Sequence, residues 1–456
     1  MRDRALCRKR SLISISGFTA IFCIICQTLF TWPIPDGANT LAETREAQVA
    51  WLQGNAIPIR SLDPVEKNFA DLISLGKAIA GARVVMLGEQ SHGDGSVFLL
   101  KTRIIKYLHE NLGFNVLVFE SGLYDVAKAW AYLQKGEDPV KAIRRGVFGI
   151  WSGSQEFQPL IDYIGQVRHT KHPLEIVGCD DQFTATAARE FFRDDLRAFL
   201  GTWHIDVKDI ANLSVFWQIL DALVERPYGK ERISKDRQTL FFTVWDEICQ
   251  RVNALPGSNV GLVFWKQVLR STRAYAKQVF DYDPNIQVFG AAANSGIRDA
   301  QMAENLLWLI EKRYAGCKLI VWAATDHITK NPTLIVTNPP GGYAGFSSMG
   351  HIVAKKLGNQ SYAIGFLASE GQMGIWRMPP MKLKVPDPNS LESLFGSTTF
   401  QNAFLDLRRL PASLLWLQSQ IQAGFLGYSP FIADWSKVLD GIIYTRIMKP
   451  STRAAR

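Results

Sequence analysis

Histidine and carboxylate side chains follow several short apolar runs in this sequence. The run 84–87 leads to Gly88-Glu89-Gln90-Ser91-His92-Gly93, the run 116–119 to Glu120, and the run 319–323 to Thr325-Asp326-His327. A histidine near two carboxylates suits general acid–base chemistry, because one carboxylate can orient the imidazole and hold it as a proton acceptor near neutral pH. We therefore predict a proton-transfer site formed by Glu89, His92, Glu120 and His327.

Three further strand-like runs also lead to polar residues. The run 174–177 leads to Asp180, the run 288–293 to Arg298, and the run 362–367 to Glu370. In a parallel sheet the carboxyl ends of the strands lie at one edge, and open α/β sheets bind their ligands in the crevice there. These three residues are therefore predicted to bind the substrate or the transition state.

Each of these residues also has a purely structural interpretation. Glu89 could cap the following helix, because acidic side chains are favoured at helix N-termini. His92 and Gly93 could form a turn, and His327 could be a structural histidine. Glu120 is harder to explain in this way, because a carboxylate at the end of a buried strand needs a partner.

The apolar runs alternate with stretches of helical periodicity, which sets the predicted fold. Short continuous apolar strands between helices are typical of a mostly parallel sheet with helices on both faces. Between about 185 and 285 the apolar spacing is helical and strand-like runs are missing. We predict an α/β core in two parts (38–184 and 286–450), a largely helical insertion that roofs the pocket (185–285) and a flexible tail (451–456).

Residues 1–37 have the composition of a targeting segment. A basic stretch ending Arg8-Lys9-Arg10 precedes an apolar run from 12 to 32 and a turn-like Pro33-Ile34-Pro35-Asp36-Gly37. This order is that of an export signal, and the run is also long enough for an uncleaved membrane anchor. Basic residues before the run would keep the N-terminus inside. We expect an exported protein that is periplasmic, secreted or anchored facing outward, with membrane contact only through this segment.

Charge and known motifs exclude several other classes of function. The net charge is +9, but the basic residues form no long run with interleaved aromatics, so nucleic acid is a poor candidate partner. The sequence lacks G-x-S-x-G, P-loop, H-E-x-x-H and G-x-G-x-x-G motifs. Cys179, Cys249 and Cys317 are predicted to be buried thiols, with one disulfide left open in an oxidising compartment.

The motif residues resemble the erythromycin esterase family, which includes erythromycin esterase-like and succinoglycan biosynthesis-associated hydrolases. The family pattern G-E-x-[ST]-H-G, with a carboxylate at the end of the next strand, matches residues 88–93 and Glu120. The resemblance continues at later points of the chain, listed here by position: Gly178-Cys179-Asp180, Arg298-Asp299, Met302, Asn305, Val321-Trp322-Ala323, His327, Ser348-Met349-Gly350, Ile364-Gly365-Phe366, Glu370-Gly371 and Asp440.

The resemblance implies hydrolysis of an ester or lactone without a cofactor. His92 would be the general base that acts on water, and Glu89 and Glu120 would orient His92 and the water. His327 would stabilise or protonate the reacting substrate. An arginine in the helix after the motif is common in the family; here Lys101 takes that place, with Arg103 nearby, and both are expected to bind the substrate or transition state. The late motif often has two histidines, and Ala324 stands at the earlier place.

Two other functions use the same residues. Glu89, His92, Glu120 and His327 could ligate a divalent metal in a metal-dependent hydrolase, because mixed nitrogen and oxygen ligand sets do so. The chain could also be a non-catalytic binding protein of the cell envelope, or one that binds polysaccharide. For a hydrolase, the expected partner is a small-molecule ester or lactone substrate.

Overall fold

The central feature is a sheet whose middle strands are buried on both faces. The structure is a computed structural model, and it describes residues 43–225, 233–282, 292–338 and 340–455. Its strands are β1 (Ile57–Pro58), β2 (Val84–Glu89), β3 (Phe114–Gly122), β4 (Glu175–Asp180), β5 (Lys318–Ala324), β6 (Ser361–Met373), β7 (Met381–Lys382), β8 (Asn402–Asp406), β9 (Ile421–Ala423), β10 (Phe431–Ala433) and β11 (Gly441–Met448).

The helices lie between these strands. They are α1 (Arg45–Asn55), α2 (Ile73–Ala78), α3 (Gly95–Leu112), α4 (Leu123–Gln134), α5 (Pro139–Gly146), α6 (Gly149–Ser152), α7 (Gln158–Val167), α8 (Thr186–Thr202), α9 (Leu213–Glu225), α10 (Lys235–Asn253), α11 (Val260–Asp281), α12 (Ala292–Trp308), α13 (Thr325–Ile328), α14 (Met349–Leu357), α15 (Leu391–Gly396) and α16 (Trp435–Val438).

The main sheet has the order β1-β8-β11-β6-β2-β5-β3-β4, with β7 paired to β6 and a separate β9–β10 pair. Strands β11, β6, β2, β5, β3 and β4 are mutually parallel, whereas β8 is antiparallel to β11 and to β1. The predicted α/β class with a mostly parallel sheet is therefore confirmed. The antiparallel strands β1 and β8, at the edge of the sheet opposite β4, were not predicted.

The central strands read as continuous apolar runs because each face of the sheet meets its own core. In β5, Leu319, Val321 and Ala323 enter one hydrophobic cluster, while Ile320 and Trp322 enter the other. Helix α3 packs against one face of the sheet. Its C-cap is Gly113, which has a left-handed φ of 71° and donates its N–H to Leu108 O.

The insertion consists of helices α8–α11, as far as residues 185–282 are described. Its core is a separate cluster rich in aromatic side chains, including Phe192, Phe216, Phe241 and Trp245. Leu123 and Tyr124 at the start of α4 belong to the same cluster, so the insertion packs against the core just after β3. The predicted helical insertion is confirmed.

Some sequence predictions meet a different outcome or cannot be compared. The predicted strand at 288–293 lies mostly outside the described residues, and Ala292 and Ala293 begin α12. The segment 1–37 also lies outside them. In the part of the chain that is described, no helix combines the length and apolarity needed to cross a membrane. Cys179, Cys249 and Cys317 carry free thiols.

The C-terminal residues do not form the expected flexible tail. Ser451 N–H donates to Gly93 O at 2.8 Å, and Ala454 N–H donates to Gly153 O at 3.0 Å. Thr452 binds Glu156 through both its N–H and its hydroxyl. These bonds hold the segment against the loop that carries His92, which composition and position in the sequence could not indicate.

Candidate active site

The predicted residues meet at the carboxyl edge of four neighbouring strands. Glu89 ends β2, Asp180 ends β4, and His327 lies in α13 directly after β5. Glu120 lies near the end of β3, where the register with β4 shifts between Phe119 and Gly122. Such a bulge re-aims the side chains of a strand, and it places Glu120 toward β5 and the residues that follow it.

Glu89 holds His92 in a defined orientation. The carboxylate is fully buried, and its Oε1 lies 3.1 Å from His92 Nδ1 and accepts a hydrogen bond of 3.0 Å from Trp151 Nε1. Lys101 Nζ donates to the other oxygen of Glu89 and to Ala323 O. Because Nδ1 faces a carboxylate, it carries the proton, which leaves Nε2 of His92 as the acceptor.

His92 is the accessible member of the cluster. Its side chain is 30% exposed, whereas Glu89, Lys101 and Glu120 are buried. The Trp151 ring packs edge-on against the imidazole with ring centroids 5.2 Å apart. Burial lowers the pKa of His92, but the hydrogen bond to Glu89 and the charge of Glu120 outweigh it, so the pKa is raised above its usual value.

A second group of charges surrounds His327. Its Nδ1 lies 3.0 Å from Asp299 Oδ1, and its Nε2 lies 3.1 Å from Glu120 Oε1. Arg298 donates to Glu120 Oε1 at 2.8 Å and binds Asp180 with two nitrogens, at 3.1 and 2.7 Å. Glu120 Oε2 also accepts from Ala324 N–H at 2.9 Å. Glu120 therefore positions Arg298 and His327, while Glu89 positions His92.

The charges of this second group set its protonation. Burial lowers the pKa of His327, but Asp299 and Glu120 raise it well above the usual value against the opposing charge of Arg298. Burial raises the pKa of Glu120, yet His327 and Arg298 hold it well below its usual range. His327 thus lies between two carboxylates that favour its charged form, and Arg298 Nη1 lies 3.0 Å from its Nε2.

The residues expected to bind substrate differ in whether they join the cluster and reach solvent. Asp180 and Arg298 belong to the cluster, and Arg298 keeps 17% of its side chain exposed. Lys101 is fully buried against Glu89 and packs over the Trp322 ring, so it neutralises Glu89 and does not face the solvent side of the site. The expectation that Lys101 contacts substrate directly therefore needs correction to a role in positioning Glu89.

Arg103 and Glu370 do not join the cluster. Arg103 lies two residues after Lys101 on α3 and points to a different side, where its guanidinium binds both oxygens of Asp71. Glu370 has 59% of its side chain exposed and lies 3.8 Å from Arg446. Arg103 was predicted from its nearness to Lys101 and Glu370 from its place after the run 362–367, and the tertiary arrangement supports neither prediction.

The structure adds residues that sequence reasoning did not assign to the site. Asp94 Oδ2 accepts from Ser91 N–H at 2.9 Å, and its Oδ1 accepts from Tyr428 hydroxyl at 2.8 Å, so the loop around His92 is held on both sides. Trp151 also escaped prediction, because no spacing relates it to Glu89. Asp94 could have been found from its place two residues after His92, and Asp299 from its place beside Arg298 in the family pattern.

The described residues of the site do not form a set of ligands typical of a divalent metal. Among the described residues, no group of three or more His, Cys, Asp and Glu side chains has the geometry to hold a metal ion. The guanidinium of Arg298 already lies among Glu120, Asp180 and His327, where it supplies positive charge to the carboxylates. A metal ion at that position would face the repulsion of this guanidinium.

Known proteins resemble this chain in sequence and in fold. YbfO of Bacillus subtilis (strain 168) is 25% identical over 427 residues, which cover 88% of this chain and 91% of that protein. Erythromycin esterase type II of Escherichia coli is 23% identical over 426 residues, covering 86% and 96%. A crystal structure of a Bacillus cereus protein matches with a TM-score of 0.74 at 22% identity, covering 90% of this chain and 100% of that one.

The family model named erythromycin esterase matches residues 109–446. The matched range holds Glu120, Asp180, Arg298 and His327, and the motif with Glu89 and His92 lies just before it. Because this range spans well over half of the 456 residues, the chain belongs to the erythromycin esterase family.

Proposed function

We propose that this protein hydrolyses a carboxylic ester or lactone, with His92 as the general base that activates water. Membership of the erythromycin esterase family supports a hydrolase. The observation that carries the proposal is the accessible imidazole of His92, bound at Nδ1 to buried Glu89, beside a second cluster in which Glu120 contacts both Arg298 and His327. The charges of Glu120 and His327 both act on the pKa of His92, so the two clusters lie within electrostatic reach.

The reaction follows from these protonation states. Nε2 of His92 takes a proton from water as the water oxygen attacks the ester carbonyl. The imidazolium that forms is stabilised by Glu89, whose second oxygen is neutralised by Lys101. Negative charge develops on the carbonyl oxygen, and Arg298 and His327 are the cations that can stabilise it. When the intermediate collapses, His92 returns its proton to the leaving alkoxide, which gives an alcohol and a carboxylic acid.

The N-terminal segment supports activity outside the cytoplasm. The basic stretch before the apolar run has the order of an export signal or anchor. The substrate would then be a small ester or lactone that this compartment contains. Lys101 and Ala324 stand where the family often has arginine and histidine, so macrolides are one substrate class to test beside simple esters.

The test is an ester and lactone panel, including macrolides, run on the wild type and on His92→Ala. Removing the base should lower kcat/KM about 10²- to 10⁴-fold, because general base catalysis contributes that range. His169→Ala is the matched control, since His169 is exposed and outside the cluster.

Three outcomes separate the candidate functions. Full activity of His92→Ala would refute the mechanism. Loss of wild-type activity with a chelator, restored by a divalent metal, would favour the metal-dependent alternative. A wild type that is inert to the whole panel but binds a polysaccharide would favour the binding protein.

A further inference from the structure

Two arginines share one tryptophan ring beside the His92 loop. The guanidinium carbon of Arg377 lies 4.5 Å from the Trp376 ring centroid, and that of Arg453 lies 4.8 Å from it. Both arginines are exposed, and Trp376 is partly buried. We call these three residues the arginine–tryptophan stack. Both distances lie within the range of a cation–π contact, which stabilises a guanidinium group over the ring.

Neither guanidinium of the stack has an acidic partner in the described part of the chain. The other surface arginines commonly do, as in the pairs Arg145–Glu137, Arg193–Asp221, Arg251–Asp209 and Arg273–Asp246. Burial and the charge of Arg453 both lower the pKa of Arg377. Two positive charges are therefore held together without a counter-charge from the protein, an arrangement that an anion would stabilise.

Hydrogen bonds connect the stack to the loop that carries His92. Trp376 N–H donates to Ser451 Oγ at 3.0 Å, and Ser451 N–H donates to the carbonyl of Gly93, the residue after His92. Trp376 Nε1 donates to Gly149 O at 3.2 Å, in the same short helix as Trp151. The stack thus borders the His92 side of the site.

Gly93 and Gly153 allow this close packing. A Cβ at Gly93 would lie 2.4 Å from the backbone of Gly374, and one at Gly153 would lie 2.4 Å from the Trp376 ring. The position of Trp376 against the His92 loop is therefore set by contacts with backbone on two sides.

We infer that the natural substrate is an ester carrying an anionic group, such as a carboxylate, sulfate or phosphate, which Arg377 and Arg453 bind while the ester carbonyl lies at His92. Guanidinium groups recognise such groups through paired N–H donors. The claim that the substrate is an anionic ester rests on the proposed function. The anion site itself is inferred from the arginine–tryptophan stack alone.

The test compares two 4-nitrophenyl esters, the neutral butyrate and the monoester of glutaric acid, which carries a carboxylate. The wild type should prefer the glutarate ester in kcat/KM, and added salt should weaken that preference. In Arg377→Gln with Arg453→Gln, the ratio of the two kcat/KM values should fall about tenfold, through the KM for the anionic ester. The ratio cancels any general effect of the substitutions on the nearby His92 loop.

Arg237→Gln is the matched control, because Arg237 is exposed, has no ion pair in the described structure and lies in α10 of the insertion. The ratio should stay at the wild-type value in this variant. An unchanged ratio in the double variant, or a wild type without preference, would overturn the inference.

A binding measurement separates this inference from the proposed function. Glutarate should bind the wild type, detected by calorimetry or by the fluorescence of Trp376, and should bind the double variant at least about tenfold more weakly. If neither ester is hydrolysed, the ester and lactone panel decides on the proposed function, and glutarate binding alone decides on the anion site. Equal glutarate affinity in both proteins would refute it.

Discussion

Glu89 is the residue on which the orientation of the His92 imidazole depends. Its two buried oxygens are bound by His92, Trp151 and Lys101. A buried carboxylate is costly unless it is paired and hydrogen-bonded, and these three partners meet that requirement. Lys101 suits its place as a point charge directed at one oxygen, and the adjacent Oε1 remains available to His92 and Trp151.

Replacing Glu89 by Gln should change both the rate and its pH dependence. Water activation needs neutral His92, so activity rises as pH passes the pKa of His92. Burial lowers that pKa and the Glu89 carboxylate raises it, so removal of the carboxylate should shift the rising limb to lower pH. We expect kcat to fall by about tenfold or more as the imidazolium loses its counter-charge.

The measurement for Glu89→Gln is a kcat/KM profile between pH 5 and 9. Glu370→Gln serves as the control, because Glu370 is exposed and outside the cluster. A profile for Glu89→Gln that coincides with the wild type would show that the carboxylate does not act on His92.

Sequence reasoning found the residues whose place along a strand reveals them. Glu89, Glu120 and His327 each follow an apolar run, and that position alone predicts the carboxyl edge. Trp151 and Tyr428 could not be found in this way, because their roles depend on contacts between elements far apart in the chain. Arg103 shows the opposite error: its charge and nearness to Lys101 suggested a site residue, but α3 turns it toward Asp71.

Among the elements, α13 and α14 determine where His327 lies. Gly350 in α14 approaches the backbone of Ile328 so closely that a Cβ would lie 2.2 Å from Ile328 O. Ser348 caps α14 by accepting from His351 N–H, and its own hydroxyl donates to Thr329 O. The two short helices are therefore packed by backbone contact, which leaves His327 little freedom to move.

Gly350→Ala should displace α13 and with it His327. We expect a stability loss of about 1–3 kcal/mol from overpacking and at least about a tenfold fall in kcat from the misplaced imidazolium. Urea unfolding and steady-state kinetics measure the two effects.

Gly201→Ala in α8 is the control for that substitution, because no atom lies within 4 Å of the added methyl group. It should leave activity unchanged and stabilise the protein by about 0.5–1 kcal/mol, as expected for alanine in a helix. Wild-type kinetics in Gly350→Ala would show that the close contact does not position His327.

The central strands could be predicted from the sequence because burial on both faces gives them an unbroken apolar pattern. Strands β2, β3, β4, β5 and β6 all include a predicted run. Strands β8 and β11 were not predicted. Their antiparallel pairing lies outside the alternation of strand and helix on which the prediction relied. The order of the strands within the sheet also could not be predicted, because it depends on crossovers that a linear pattern does not encode.

For the molecule as a whole, several buried carboxyl groups make stability depend on pH. Burial raises the pKa of Asp94, Asp125 and Glu392 to about 7, and that of Asp326 to about 6. An acid with a raised folded-state pKa binds protons more tightly in the native state than in the unfolded one. Its contribution to stability is therefore present at low pH and is lost as pH rises from about 4.5 to 7.

Glu392→Gln should reduce this pH dependence. Glu392 Oε1 accepts from Gly424 N–H, while Oε2 is buried without a hydrogen-bond partner in the described structure. The fall in unfolding free energy between pH 5 and 8 should be smaller than in the wild type by roughly 2 to 3 kcal/mol, because glutamine cannot ionise.

Urea unfolding at several pH values measures this difference, and exposed Glu43→Gln is the control. An identical pH dependence in Glu392→Gln and the wild type would show that this carboxyl does not titrate near neutrality in the native state.

The place of β2 in the sheet also bears on how the protein is made. This wholly buried strand, which ends in Glu89, pairs with β5 and β6, and both lie beyond residue 317. During synthesis it must wait on the order of ten seconds or more for a neighbour, with its backbone edges open to association with other chains. The growing chain therefore carries an unpaired central strand over this interval, and a product truncated before β5 would carry His92 without the strand that completes its surroundings.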